Sequence, residues 1–310
     1  MPLPERDGIP PSRVYLPEGP WESLLDFLSE RFPRLSREFL HSRLVAGEIV
    51  DARGVAPPPD APYRPGGWLW YYRDVPDEIP VPFDLPVLHR DERLVVVDKP
   101  HFMATTPAGR YLRHTALVRL RKQLGLSTLS PIHRLDRETA GVLLFCVDPA
   151  CRGRYQALFQ AREVHKEYEA VAAAPADLDF PLVYRSRLEE MPGRFLMHEV
   201  PGEANSETRI ELLDWLDVNG WAHLRLQPIT GRKHQLRVHM SALGMPILND
   251  GFYPPAPYDE TIETRTEDDF ERPLQLLARA IEFRDPVDGR QRRFESRRSL
   301  LCVQAAKSMA

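Results

Sequence analysis

A dense group of ionisable side chains stands directly before an apolar run near the middle of the chain. Five of them fill five of six consecutive positions: His133, Arg134, Asp136, Arg137 and Glu138. The unbroken apolar run at 142–147 that follows is typical of a strand buried on both faces. A carboxylate at the mouth of such a strand is partly desolvated, so a nearby cation has to balance its charge. Asp136 is therefore a candidate for catalysis, and a structural ion pair that anchors the loop is the alternative.

A second group of basic side chains lies in the segment GRKHQLRVH, residues 231–239. Its members are Arg232, Lys233, His234, Arg237 and His239. The pattern predicts one short helix with Thr230 as its N-cap. Helix N-termini attract anions, so the segment favours phosphate recognition, with a solvated basic helix face as the alternative. The two histidines are five positions apart, which is the wrong spacing for two metal ligands on one helix face, and no metal site is predicted.

A tyrosine in the segment HKEYEAV, residues 165–171, is the third candidate. The alternation predicts a strand in which Tyr168 points the same way as Ala170 and Ala172, toward the core. A core tyrosine that needs a hydrogen-bond partner is the alternative to a functional role.

The segment around Asp136 also excludes a protein kinase. Asp136 stands one position late for the HRD motif of a kinase catalytic loop, and the glycine-rich loop and the DFG motif of kinases are absent.

Composition and charge bound the class of protein. A chain of 310 residues with 43% hydrophobic and 28% charged residues is typical of a globular protein large enough for two domains. No apolar run is long enough to span a membrane, and three cysteines without CxxC spacing favour a reduced, cytoplasmic protein without structural zinc.

The charge is unevenly distributed along the chain, whose formal net charge is −4. Residues 110–170 carry eleven Lys or Arg against six Asp or Glu, whereas residues 259–271 carry seven acids against one Arg. A basic cleft on an acidic protein is therefore compatible with the sequence, and we interpret the acidic stretch as a solvated loop away from that cleft.

Proline content and periodicity divide the chain into three parts. Residues 1–20 carry several prolines and no periodicity, so we expect a flexible arm. The pattern of residues 21–80 predicts a small module of two helices and two short strands. Ser36 is the expected N-cap of the second helix. In residues 81–310 strands and helices alternate irregularly. We therefore expect an α+β domain with a mixed or antiparallel sheet and flanking helices.

Taken together and in this order, these segments resemble the RluA family of RNA pseudouridine synthases. HRLDRETAG is similar to the family's HRLDxxTSG signature, HKEYEAV to its K-x-Y-x-A segment, and PITGRKHQLRVHMSALGMPIL to its GRxHQLRVHxxxLGxPI block. LVVVDKP resembles a strand ending in N-K-P, and LARAIEFRDPVDGR resembles the family's closing strand. The N-terminal module resembles, more weakly, the small αL-motif RNA-binding domain of such enzymes. Ala140, Asp98 and Asn249 depart from the Ser, Asn and Gly that are usual in the family.

The resemblance implies that uridine in RNA is isomerised: the C1′–N1 bond is broken, the uracil rotates and a C1′–C5 bond forms. It implies that Asp136 is the catalytic aspartate, that Tyr168 packs on the target base and assists proton movement at C5, and that Arg237 pairs with Asp136. Arg134 aligns with the residue that fills the gap left by the flipped nucleotide. The other expected RNA-binding residues are His133, Arg137, Lys166, Arg232, Lys233 and His234.

The physical chemistry of the reaction is compatible with these roles. A stacked base must be extruded at a cost on the order of a few kcal/mol, and a guanidinium can stack in the vacated space. Asp136 has to be ionised to attack C1′ or to remove a proton from the sugar, and the sequence leaves both routes open. No redox step or hydrolysis occurs, so we expect no cofactor and no metal. The expected partner is RNA, either large-subunit rRNA or tRNA, and not a membrane.

Two other functions remain open at this point. A non-catalytic RNA-binding or ribosome-assembly protein on the same fold would keep the RNA contacts without turnover. A base-excising glycosylase would release free uracil instead of retaining it.

Overall fold

The computed structural model describes residues 1–310 except 7, 34, 74–77, 110, 176–177, 217–219, 254–268 and 310. Most of the acidic stretch at 259–271 thus lies outside the described residues. The chain divides into two compact units, one of residues 1–78 with 109–113 and the other of residues 79–108 with 114–310. Within the described ranges, no helix has the length and apolar character needed to cross a bilayer.

The first unit contains a three-stranded antiparallel sheet and two helices. The strands are β1 (Ser12–Tyr15), β2 (Ile49–Val50) and β3 (Trp68–Tyr71), in the order β1-β3-β2. The prediction of a flexible arm over residues 1–20 is therefore wrong for β1. Its four residues pair with β3, and Val14 is buried in the core of the unit. The prolines around β1 masked this short strand in the sequence.

The two helices of the first unit follow the predicted pattern. They are α1 (Leu24–Arg31) and α2 (Arg37–Val45), and serine side chains cap both of them. Ser36 accepts the backbone N–H of Phe39, as expected. Leucines recurring at helical spacing on both helices form the core of the unit.

The second unit is built on one large mixed sheet, which the described residues form with eleven strands. The strands are β4 (Val87–Arg90), β5 (Leu94–Lys99), β6 (Ser130–Pro131), β7 (Ala140–Cys146), β8 (His165–Ala173), β9 (Leu182–Glu190), β10 (Met197–Val200), β11 (Ser206–Leu216), β12 (Trp221–Pro228), β13 (Leu276–Arg284) and β14 (Gln291–Glu295). The main order is β10-β9-β11-β12-β8-β13-β7-β5-β4, with β14 on β13 and β6 on β7. The pairing of β13 with β7 is parallel, which confirms the α+β class with a mixed sheet.

Four helices accompany this sheet in the described part of the unit. They are α3 (Ala116–Leu124), α4 (Arg152–Gln160), α5 (Gln235–Ala242) and α6 (Leu301–Met309). Helix α3 ends at Gly125, whose φ of 67° is left-handed, as expected of a C-terminal glycine. The prediction for α5 is wrong at its start, because the helix begins at Gln235 and not after Thr230.

The strand that follows the charged cluster is buried on both faces, as predicted. On β7, Leu143 packs into the core on one face of the sheet and Leu144 into the core on the opposite face. The neighbouring strand β5 does the same with Val97 and Val96. At the start of β7, Gly141 has a φ of 116°, and a Cβ there would overlap the carbonyl group of Ala278 on β13. Glycine at this position thus permits the close parallel approach that fixes the end of the charged loop.

Candidate active site

The loop that carries Asp136 connects β6 with β7 and is anchored at both ends. The hydroxyl of Thr105 donates to the carbonyl oxygen of Leu135 at 2.8 Å and accepts the backbone N–H of Leu135 at 3.2 Å. The Thr139 N–H donates to the carbonyl oxygen of Asp136 at 3.2 Å. These bonds hold the backbone on either side of Asp136, whose side chain remains 27% exposed.

A buried lysine binds the backbone of the same loop. The ammonium group of Lys99, at the end of β5, is fully buried and donates to the carbonyl oxygens of Pro100, Met103 and Arg137 at 3.1, 2.8 and 3.2 Å. Burial lowers the pKa of Lys99 to about 7, although the carboxylates of Glu138 and Asp136 oppose this shift. The sequence indicated this residue only through the D-K-P segment and gave no hint of its contact with the charged loop.

Arg237 lies at the centre of the site and has three carboxylate partners. Its side chain is 1% exposed on α5, and Nε and Nη2 donate to the two carboxylate oxygens of Asp250 at 2.8 and 2.7 Å. The remaining nitrogen, Nη1, lies 3.3 Å from Glu138 and 3.5 Å from Asp136. Burial opposes the charge of Arg237, but the three carboxylates outweigh it and raise the pKa of the guanidinium.

The expected pairing of Arg237 with Asp136 is thus present but shared. Asp250 makes the tightest contact, and Glu138, which the sequence analysis placed only among the loop's charged residues, competes with Asp136 for one nitrogen. Asp250 also accepts the backbone N–H groups of Phe252 and Tyr253 at 2.9 and 3.2 Å. Its position next to Asn249, just after the segment that resembles the family's GRxHQLRVHxxxLGxPI block, was the one signal that could have found it.

Tyr168, which is on β8, lies beside Asp136. Its ring packs against two of the core clusters, and its hydroxyl has no hydrogen-bond partner among the described residues. Burial raises the pKa of Tyr168, and the charge of Asp136 raises it further, so the phenol stays neutral at physiological pH. An unpaired, neutral hydroxyl next to a carboxylate is available to a ligand.

His234 also belongs to the site, but not as the phosphate-binding cation that we expected. It precedes α5 with a left-handed φ of 54°, is 4% exposed, and its Nε2 lies 4.0 Å from an oxygen of Asp136. Burial and the charges of Arg237 and Lys233 lower the pKa of His234 to about 3. The imidazole is therefore neutral at physiological pH, so the predicted RNA contact of His234 would be a hydrogen bond and not an ion pair.

The two residues before His234 lie in a turn instead of on the predicted helix. Arg232 is exposed, and Lys233 places its ammonium group 3.8 Å from the centre of the Phe195 ring. The turn is held by Gln235, whose side-chain oxygen accepts from the Thr230 hydroxyl at 2.6 Å and from the Arg232 N–H at 3.1 Å. The side chain of Thr230 thus bonds Gln235 and does not cap a helix.

Three further basic residues surround the loop. Arg134 is exposed, and its guanidinium has no partner among the described residues. The guanidinium of Arg137 lies 3.5 Å from Glu138 and over the ring of Phe102. Lys166 donates to the carbonyl oxygen of Thr230 at 2.8 Å, and burial together with the nearby Arg162 lowers its pKa to about 8.

His133, which we also expected to bind RNA, is engaged inside the protein. Its Nε2 accepts the backbone N–H of Leu144 at 3.2 Å, and its ring stacks on Phe159 with an interplanar angle of 18°. Burial lowers the pKa of His133 to about 3, so the ring carries no charge at physiological pH. The structure shows His133 anchoring the loop on β7, and its contact with RNA stays a prediction.

One departure from the family pattern has a local compensation. Asp98 is buried and accepts the hydroxyl of Ser296 and the backbone N–H of Arg297, both at 2.8 Å. The guanidinium of Arg298 lies 3.5 Å from the same carboxylate. An aspartate in place of asparagine is therefore balanced by an arginine that the chain supplies nearby.

The arrangement is suited to chemistry on a substrate that enters above Asp136. A partly exposed carboxylate stands between a buried guanidinium, a neutral tyrosine and a neutral histidine, and the exposed Arg134 lies on the same loop. Across the described part of the chain, no group of three or more His, Cys, Asp or Glu residues is arranged to hold a metal ion.

Known proteins are similar to this chain in sequence and in fold. A family model described as RNA pseudouridylate synthase matches residues 93–242. An uncharacterized RNA pseudouridine synthase of Synechocystis sp. is 31% identical over 236 residues, which make up 75% of this chain and 79% of that protein. The dual-specificity RNA pseudouridine synthase RluA of Escherichia coli (strain K12) is 36% identical over 174 residues, or 54% of this chain and 77% of that protein.

A solved structure supports the same relationship. Human RNA pseudouridylate synthase domain containing 4 is similar with a TM-score of 0.54 and 28% identity, over 71% of this chain and 91% of that chain. The range matched by the family model contains Asp136, Tyr168 and Arg237. The chain belongs to the RluA family of RNA pseudouridine synthases, the enzymes that isomerise uridine in RNA to pseudouridine.

Proposed function

We propose that this chain isomerises uridine in RNA with Asp136 as the catalytic residue. In the reaction, the C1′–N1 bond of the target nucleotide breaks, the uracil turns, a C1′–C5 bond forms, C5 loses its proton, and N1 gains one. The carboxylate of Asp136 either attacks C1′ or removes a proton from the sugar. Both routes require it to be ionised and open to the substrate.

The observation that carries this proposal is the convergence of two residues from separate segments, Arg237 and Tyr168, on the carboxylate of Asp136. Arg237 Nη1 lies 3.5 Å from Asp136, and the charge of Asp136 acts on the hydroxyl of Tyr168. The Asp136 side chain is 27% exposed, and the shorter contacts of Arg237 go to Asp250 and Glu138. The pairing with Arg237 therefore leaves Asp136 open to a ligand.

Tyr168 and Arg134 have distinct proposed roles. Tyr168 packs its ring on the flipped uracil, and its neutral hydroxyl assists proton movement at C5. Arg134 stacks in the space that the base has left and contacts phosphate, which its exposure and lack of a described partner allow. Arg137, Lys166, Arg232 and Lys233 supply further positive charge around the loop.

We propose that the substrate is structured RNA of the rRNA or tRNA class and that the protein acts in the cytoplasm. Support for RNA as the substrate comes from the relative named a dual-specificity RNA pseudouridine synthase. The catalytic domain, residues 81–310, makes the main RNA contacts in this proposal. Residues 21–80, the N-terminal module, carry seven Arg and no Lys against ten Asp or Glu, so net charge does not favour RNA binding by this module.

The experiment is to digest RNA treated with the enzyme and to separate the nucleosides by chromatography. We expect pseudouridine from the wild type, no free uracil, and no pseudouridine from Asp136→Asn. Free uracil would indicate a glycosylase, and RNA binding without turnover by the wild type would indicate a non-catalytic RNA-binding or ribosome-assembly protein. Mapping pseudouridine in rRNA and tRNA of a deletion strain then identifies the substrate by the site that disappears.

A further inference from the structure

A chain of hydrogen bonds runs from the β10 backbone to the histidine beside Asp136. The backbone N–H of Met197, at the start of β10, donates to the hydroxyl oxygen of Tyr253 at 2.9 Å. The same oxygen lies 2.7 Å from Nδ1 of His234. The opposite nitrogen of that ring, Nε2, lies 4.0 Å from Oδ1 of Asp136.

This chain of bonds determines which ring nitrogen of His234 carries the proton. The Tyr253 hydroxyl already accepts from Met197, and its own proton has no other acceptor among the described residues. The arrangement that uses every hydrogen therefore has the Tyr253 O–H donating to Nδ1 of His234. A neutral imidazole that accepts at Nδ1 carries its proton on Nε2. Nε2–H then points toward Asp136.

The surroundings of His234 hold the ring in this orientation. The ring stacks on Phe252 with an interplanar angle of 17° and meets the Phe195 ring edge-on, with centroids 5.3 Å apart. It is 4% exposed. The left-handed backbone, the aromatic enclosure and the fixed tautomer of His234 together exceed what the start of a helix requires. They indicate that the orientation of the ring itself matters.

We propose that His234 is a positioning residue that donates from Nε2–H to Oδ1 of Asp136, while Nη1 of Arg237 holds Oδ2. The inference rests on the proposed role of Asp136. The present separation is about 1 Å longer than a hydrogen bond, and such contacts commonly shorten when the substrate is bound. With both oxygens held, the carboxylate cannot rotate, so its reacting face is fixed toward the sugar.

The first test measures the tautomer directly in the free enzyme. Long-range proton–nitrogen NMR spectra of protein labelled with ¹⁵N in histidine distinguish the protonated from the bare ring nitrogen. The His234 signal is assigned by its loss in His234→Asn. We expect a single proton on Nε2 at neutral pH, and a mixture of tautomers in Tyr253→Phe. A proton on Nδ1, or on both nitrogens, overturns the proposal.

The second test compares two replacements of His234 by kinetics. Asparagine tolerates the left-handed backbone but places no donor near Asp136, whereas the amide of glutamine reaches the position of Nε2. We expect His234→Asn to lower kcat on the order of 10- to 100-fold with little change in KM for RNA, and His234→Gln to recover part of the loss. Equal kcat in the two variants, or an effect on KM alone, contradicts the proposal.

The matched control for the tyrosine is Tyr184→Phe. Tyr184 lies on β9 and donates to Glu199 at 3.1 Å, so its variant loses a comparable hydroxyl without disturbing His234. We expect kcat to fall in Tyr253→Phe and to stay at the wild-type value in Tyr184→Phe. Turnover by Asp136→Asn would refute the proposed function, whereas an inactive Asp136→Asn together with an unchanged His234→Asn refutes only this inference.

Discussion

Replacing Asp250 with asparagine removes one charge from the group around Arg237 while keeping the shape of the side chain. Asp250 and Arg237 are each 1% exposed, and two hydrogen bonds of 2.7 and 2.8 Å join them. Removing one partner of a buried pair costs about 3–5 kcal/mol, because the other charge stays buried. Glu138 and Asp136 remain within 3.5 Å of Nη1 and compensate in part. We therefore expect a loss near the lower limit, about 3 kcal/mol.

The assay for this loss is urea unfolding and thermal melting of wild type and variant. In a domain of this size, each kcal/mol lowers Tm by roughly 2–4 °C, so Asp250→Asn should lower Tm by roughly 6–12 °C. The matched control is Glu138→Gln. The Glu138 side chain is 22% exposed and contacts a single nitrogen of Arg237, so we expect a loss of about 1 kcal/mol or less.

Activity gives a second measurement on the same variant. Without Asp250 the guanidinium of Arg237 is no longer held on one side, and Nη1 loses its fixed position beside Asp136. We expect kcat of Asp250→Asn to fall on the order of 10- to 100-fold. If Asp250→Asn is as stable as Glu138→Gln and retains full kcat, Asp250 does not hold Arg237 and the reasoning is refuted.

Further predictions concern the sheet and the rim of the site. Burial disfavours the charge of Glu169, but hydrogen bonds from His223 and Arg279 lower its pKa to about 2. The ionised Glu169 therefore stabilises the folded protein above pH 4.5, and this contribution is lost as pH falls toward 2. Glu169→Gln should lower the free energy of unfolding by about 2–3 kcal/mol at neutral pH, and urea titrations should show this difference shrinking across that window; a difference constant with pH contradicts the ion pair. Gly141→Ala should abolish soluble folded protein because its Cβ would overlap the β13 backbone, whereas Gly153→Ala on α4, with open space around it, should raise Tm slightly. Arg134→Ala should leave Tm unchanged, raise KM for RNA and make the affinity for RNA less dependent on salt; an unchanged salt dependence would argue against a phosphate contact.

The parts of the fold that sequence predicted are those set by local pattern. Strand β8 spans His165–Ala173, the full length of the alternating segment, and the apolar run at 142–147 lies in and after β7. Period-two alternation and continuous apolar runs depend on neighbours in sequence, so they are readable without tertiary contacts. Strands β9 and β11 were not predicted, because charged and polar residues fill most of their positions. The few apolar residues that enter the core, such as Leu188 and Ile210, give no clear alternation in the sequence.

The parts of the site that sequence missed depend on contacts between distant residues. Glu138 and Asp250 stand 112 positions apart and meet only because Arg237 binds both. The start of α5 was misplaced because the side chain of Gln235 holds residues 230–232 in a turn, which no local propensity indicates. The roles of Asp136, Tyr168 and Arg237 came from the resemblance, since spacing alone left a structural ion pair and a core tyrosine open.

The central claim is that the carboxylate of Asp136 carries the reaction. The most direct measurement is tritium release from RNA whose uridines are labelled at C5, compared between wild type and Asp136→Asn under single-turnover conditions, with circular dichroism and RNA binding as checks of folding. We expect release by the wild type and none above background by Asp136→Asn, with wild-type folding and binding retained. Release by a folded Asp136→Asn protein at the wild-type rate would contradict the account.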